Sequence, residues 1–259
     1  MNSSKTVGIA LLAGAVGMML GGFVRGGNLA ARANSVAFAA ADVDDQPALP
    51  KDVYADSRNR LPMPKREDLD DAGKKVYDEL LGPKRLVGTH PSVRLYSPKL
   101  AAGLEEVSNY LKYETGMPDP LVEIAVLTTA REMDAQYEWT QWETHGRDPK
   151  DPRHIDSRII DIIKYEKPVT GLGEKETAII TFGREMIGKK KVSSETFAEV
   201  LRLFGRRGTV DLVWLMANYS GASMEMAAFD QQLLPGQKPL LPTGKVGGYA
   251  SFGPFSGPR

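Results

Sequence analysis

Apolar residues recur along this chain at three- and four-residue steps, and glycine, proline and capping residues cut the pattern into blocks of helical length. Residues 68–81 carry Leu69, Ala72, Val76 and Leu80 on one face and end at Gly82-Pro83. Ser97-Pro98 opens a second block through Leu100, Leu104, Val107 and Leu111, stopping at Gly116. Asp119-Pro120 repeats that start signal, and residues 121–130 are apolar or threonine except for Glu123, the pattern of a helix buried on every side. Further helices are predicted over 135–145, 155–165, 174–187 and 196–204, the last capped by Ser193, and over 210–233, capped by Thr209. No stretch alternates with period two between turn glycines. The expectation is an all-α bundle of about eight helices. The helices beginning at Pro120 and Val210 are apolar on most faces, so subunits are expected to pack against one another, with burial inside one domain as the alternative.

The ends differ from this middle. Residues 7–24 form an uncharged stretch behind Lys5, followed by Ala37-Phe38-Ala39 and Ala39-Ala40-Ala41, both small-x-small patterns of a signal-peptidase site. Residues 1–41 therefore read as a cleavable signal or an uncleaved membrane anchor, and the protein as exported, facing the periplasm. Residues 42–66 read as a linker or surface-hugging arm, 67–234 as the helical domain, and 235–259 as a tail in which eleven of 25 residues are glycine or proline. That tail is expected to pack little, or against a neighbour.

The 33 basic residues balance the 33 acidic ones, which removes the concentrated positive surface that a nucleic-acid partner needs. There is no cysteine, hence no thiol chemistry, and the three histidines stand singly, a poor set for a metal. No cofactor is implied. Candidate chemistry gathers on carboxylates. Glu123 is a lone charge in an apolar helix. It is either stabilised by the nearby helix N-terminus or held in dry surroundings with a raised pKa, ready for general acid or base work. In Tyr137-Glu138-Trp139-Thr140-Gln141-Trp142-Glu143-Thr144-His145, helical spacing lines Glu138, Gln141 or Trp142, and His145 along one face. Glu123, Glu138 and His145 are the candidate catalytic groups, and Tyr137, Gln141 and Trp142 the candidate substrate contacts. The competing readings are a partly buried aromatic helix and, for His145, a simple partner for the helix dipole.

Glu123-Ile124-Ala125-Val126-Leu127, then Arg131 and Tyr137-Glu138-Trp139, resembles the carboxymuconolactone decarboxylase-like family, which includes lactone decarboxylases and alkylhydroperoxidase D proteins. His90-Pro91 ahead of Ser97-Pro98-Lys99-Leu100 and a late apolar helix over 211–229 fit the same pattern, so the resemblance covers roughly residues 69–233. It implies an all-helical fold, a homotrimer or homohexamer, and a small-molecule substrate. The family's peroxidase branch follows the buried glutamate with a Cys-x-x-Cys pair and a histidine; those positions hold Ala135, Glu138 and Trp142 here. Without a thiolate, peroxidase chemistry has no nucleophile. The cysteine-free branch carries Tyr-Glu-Trp-x-x-His, and Trp142 departs from that as well, leaving His145 one turn along as a substitute. The resemblance implies acid/base chemistry (decarboxylation, isomerisation or hydration) on a small carboxylated, lactone or phenolic compound. A non-catalytic oligomeric scaffold on the same fold is the alternative.

Overall fold

The structure, a computed structural model, describes residues 48–81 and 91–242. The stretch 7–24, the cleavage-like motifs, His90 and the end beyond residue 242 lie outside the described residues. Among those described there are eight α-helices and no strand: α1 Asp71–Leu81, α2 Pro91–Arg94, α3 Pro98–Asn109, α4 Asp119–Glu132, α5 Gln136–Arg147, α6 Ser157–Lys164, α7 Glu174–Gly183 and α8 Ser194–Ala228. None of them is long and apolar enough to cross a membrane.

Helix α4 is the centre of the bundle and packs against α5, α6, α7 and α8. Ten consecutive residues, Val122 to Arg131, are buried. Its all-round apolarity is satisfied inside one chain, so the expectation that α4 needs a partner subunit is corrected. The layer over it comes from Ile159, Ile160 and Ile163 of α6, Ile179, Ile180 and Phe182 of α7, and Leu212, Leu215 and Met216 of α8. Gly183 sets the approach of α7: a methyl group there would sit 2.6 Å from Thr128 Cγ2 and 3.1 Å from Met216 Cε. Gly183→Ala is expected to overpack this crossing and cost about 1–3 kcal/mol. The melting temperature should fall by several degrees, and an unchanged value would show that the three helices give way freely.

Two predicted boundaries move. Helix α8 joins the two predicted late helices, but Gly205 (φ 66°, ψ 178°) breaks it at the predicted gap, in a conformation that side chains oppose. Thr209 does not cap the second half; its Oγ1 donates back to the Gly205 carbonyl at 2.7 Å. Helices α3 and α7 each run on into one π-helical turn, Tyr110–Glu114 and Arg184–Gly188. Such turns frequently mark functional positions.

The predicted apolar face of α3 is not a buried one. Leu111 is buried, yet Leu100 and Val107 are exposed, and Ala101 makes the inward contact. Residues 48–66 run along the last turn of α8 and the segment after it: Arg60 N donates to the Phe229 carbonyl, Gln232 N to the Arg58 carbonyl, and Arg58 Nε to the Leu233 carbonyl. Beyond α8 the chain folds back on α5. Leu240 N donates to Thr140 Oγ1, and Leu241 joins the main core.

One surface of α8 stays uncovered among the described residues. Val210, Trp214 and Met224 are 55%, 60% and 63% exposed. With the exposed Ala217 and Gly221 between them, they step by four, three, four and three residues along one face. That is the spacing of a seam between packed helices.

Candidate functional site

Helices α4 and α5 and the loop after α5 bring the candidate groups together. Positions 138, 142 and 146 fall at four-residue steps on one face of α5, which therefore reads Glu138, Trp142, Gly146. Glu123 of α4 is seated over Gly146, since a methyl group there would lie 3.1 Å from Glu123 Oε1. Trp142 Nε1 donates to Glu138 at 2.9 Å, and Gly146, one turn further along α5, meets Glu123.

Glu123 is fully buried, and neither carboxyl oxygen has a hydrogen-bond partner among the described residues. Burial pushes its carboxyl up to about 9; Arg153 opposes the rise, and the charges of Asp151 and Glu138 add to it. The helix N-terminus does not keep Glu123 ionised. A dipole interaction of about 0.3–1 kcal/mol cannot offset the loss of water from a buried carboxylate. Glu143, on the same helix as Glu138, shows the contrast. It is equally buried but takes hydrogen bonds from Trp139 Nε1 (2.5 Å), Arg147 Nε (2.8 Å) and Lys164 Nζ (2.9 Å). Glu143 is a structural ion-pair hub, whereas Glu123 is a buried acid without a structural partner.

Burial lifts Glu138 to about 7, while a 2.9 Å hydrogen bond from Trp142 Nε1 and the charges of Arg94 and Lys112 favour its ionised form. Lys112 comes from the π-helical turn and lies 5.1 Å from the Tyr113 ring centroid. On the α8 side, Tyr219 meets Trp142 edge-on, with centroids 5.2 Å apart at 87°. Burial, with Glu138 next in effect, holds the Tyr219 hydroxyl protonated well above its ordinary range.

The loop after α5 contributes Arg153, whose guanidinium carbon lies 5.2 Å from the Trp142 ring centroid. Arg153 pairs with Asp151 through Nε (3.0 Å) and Nη2 (2.9 Å). Although burial opposes ionisation, these hydrogen bonds bring the Asp151 carboxyl down to about 2. His145 Nδ1 lies 3.0 Å from the other face of the same pair, at Asp151 Oδ2. Burial, reinforced by the Arg153 charge, lowers the His145 pKa and favours neutral imidazole. His145 therefore reaches the cluster only through Asp151.

Two expected substrate contacts sit elsewhere. Tyr137 packs with Ala222, Met226 and Leu233, and Gln141 exchanges hydrogen bonds with Gln237 at 2.7 and 3.1 Å. Both hold α5 to α8 and to the C-terminal segment rather than facing the carboxyl groups. Arg153, Asp151 and Tyr219 are the residues that spacing did not reveal. Arg153 sits beside Pro152 in a loop without helical periodicity, and Tyr219 lies in an apolar helix. Among the described residues no three His, Asp or Glu side chains gather as a metal ion requires.

No family model and no curated protein matches the sequence. The fold does match a solved structure, a cysteine-to-alanine variant of the debrominase Bmp8 in complex with 2,3,4-tribromopyrrole. The TM-score is 0.51 at 14% identity, over 66% of this chain and 89% of the debrominase. At that identity the likeness speaks for the fold alone, an all-helical arrangement shared with the debrominase.

Proposed function

We propose that this protein is a cysteine-independent acid/base enzyme of the carboxymuconolactone decarboxylase-like family, acting on a small carboxylated, lactone or phenolic ring compound. The observation that carries the proposal is the pairing of two buried carboxyl groups of different acidity. Glu123 is without a hydrogen-bond partner and raised to about 9, and Glu138 is raised to about 7. Near pH 8 the first is a proton donor and the second a base, the division of labour that enolate chemistry requires. Glu138 removes a C–H proton beside a carbonyl and becomes protonated. Glu123 delivers its proton to another carbon of the resulting enolate, and both groups then re-equilibrate with solvent. The similarly folded debrominase variant is in complex with 2,3,4-tribromopyrrole, a single-ring compound of the size this reading calls for.

The test uses α-angelica lactone, whose isomerisation moves one proton from the α to the γ carbon. The full chain should accelerate isomerisation, with deuterium entering the γ position in heavy water. A rate equal to that of buffer would overturn the proposal. It would favour the second reading, a non-catalytic scaffold, which is supported by the buried indole of Trp142 occupying the face of α5 beside Glu138.

The working unit in this reading is a homo-oligomer, a trimer or hexamer, joined through the uncovered face of α8. A second copy presents the same seam, in which Ala217 and Gly221 let backbones approach between Val210, Trp214 and Met224. Trp214→Arg with Met224→Arg is expected to reduce the assembly to monomers in light scattering. A wild-type chain that is itself monomeric at micromolar concentration would remove this part of the proposal. The expectations of export and of a membrane tether through residues 7–24 belong to the same reading, and retention of the full chain by a membrane fraction tests them.

A further inference from the structure

We infer that Arg153 makes this site selective for anionic substrates, docking a carboxylate of the ring compound beside the proton donor Glu123. The inference rests on the acid/base reading of the site and names the charge of its substrate. Four observations meet at Arg153. Its guanidinium carbon lies over Trp142, 5.2 Å from the ring centroid. One edge, Nε and Nη2, is fixed by the two-point contact to Asp151. Nη1 makes no hydrogen bond among the described residues, and the side chain is 22% exposed. Finally, its charge reaches Glu123, whose two oxygens are buried and without a partner.

A structural arginine next to a buried carboxyl would be expected to pair with it, as Arg147 and Lys164 pair with Glu143. Arg153 instead pairs with Asp151, and Glu123 is left alone. Asp151 orients the fork in advance, so little side-chain entropy is lost when a ligand takes the free edge. A carboxylate is the group that fits. It offers acceptor oxygens to guanidinium donors, and unlike a neutral carbonyl it gains the charge-assisted part of the bond. Lys112, whose charge reaches Glu138 from the π-helical turn, adds a second positive charge acting on the carboxyl pair. Protonated Glu123 contributes no repulsion at neutral pH.

The test compares two probes of one shape and different charge, 2-furoate and 2-furamide, titrated into the full chain by calorimetry at low salt. Wild type is expected to bind 2-furoate about tenfold or more tightly than 2-furamide, the ratio expected for one charged hydrogen bond. Added salt should erode the preference. Arg153→Gln should bring furoate affinity down to that of the amide, and Arg153→Lys should retain part of the difference. Equal affinities in wild type, no binding of either probe, or a preference that survives in Arg153→Gln would each overturn the inference. The wild-type comparison and the lysine variant carry the test even if the glutamine variant is unstable. Lactone isomerisation that depends on Glu123 without a furoate preference would remove only this inference. A furoate preference lost in Arg153→Gln, without any isomerisation, would remove only the acid/base reading.

Discussion

Glu123→Gln is expected to abolish lactone isomerisation and, at the same time, to raise the melting temperature above pH 7. The catalytic half follows from removing the proton donor while keeping its shape, a change worth about 10²- to 10⁴-fold in rate. The stability half follows from proton linkage. In the folded protein Glu123 holds its proton up to about 9, whereas in the unfolded chain it releases it near the ordinary value of 4.5. Between those values the folded state binds more protons than the unfolded state, so stability falls as pH rises. It is fully present below about 4.5 and is lost progressively toward 9, with a limiting slope of about 1.4 kcal/mol per pH unit. Glutamine carries no proton to lose. The variant and wild type should therefore melt together near pH 5 and diverge by several degrees at pH 8, with the variant higher. Parallel melting curves from pH 5 to 9 would show that Glu123 is hydrated and ionised in the folded protein, and the donor role would fall with them.

Activity is expected to follow a bell-shaped pH profile with its maximum near pH 8. The rising limb belongs to Glu138, which must lose its proton to act as a base and does so near 7. The falling limb belongs to Glu123, which must keep its proton to act as an acid and loses it near 9. The rate should thus drop on both sides, and Glu138→Gln should remove turnover at every pH, again by about 10²- to 10⁴-fold. Trp142→Phe offers a finer check. It deletes the Nε1–H donor that favours ionised Glu138, so the rising limb should move to higher pH. A profile flat from pH 6 to 10, or turnover surviving in Glu138→Gln, would reject the assignment of base and acid.

Much of the helical layout was legible before any coordinates. The starts at Ser97-Pro98 and Asp119-Pro120 and the break at Gly205 appear within a residue of where the pattern puts them, and the run predicted buried over 121–130 is buried over 122–131, although Ser97 makes no side-chain cap and Pro118 rather than Asp119 is the N-cap. Each depends on a local property: a fixed proline φ, a glycine conformation or a nearly uncharged apolar run. Glu123 was visible as a lone carboxylate in an apolar run, and Glu138 as a carboxylate sharing a helical face with aromatic and polar side chains. Less was visible wherever the outcome depended on a partner distant in sequence. Gln141 looked like a site residue from helical spacing and Tyr137 from its place beside Glu138, but α8 and the segment after it claim both. Arg153 has no distinguishing local signal, since what matters is that Asp151 and Trp142 hold it while Glu123 remains unpaired.

The sequence by itself determined that this chain is helical, where its helices start and break, and that thiol chemistry is closed to it. Those properties are set by neighbouring residues and by composition. Only the tertiary structure decided that α4 is covered within one chain, that Glu123 is a neutral acid rather than a dipole-stabilised anion, and that Glu143 is a structural ion-pair hub. The reason is that dehydration and charge pairing depend on which distant groups fold against a carboxyl, and glutamates on neighbouring helices, Glu123 of α4 and Glu143 of α5, meet opposite surroundings.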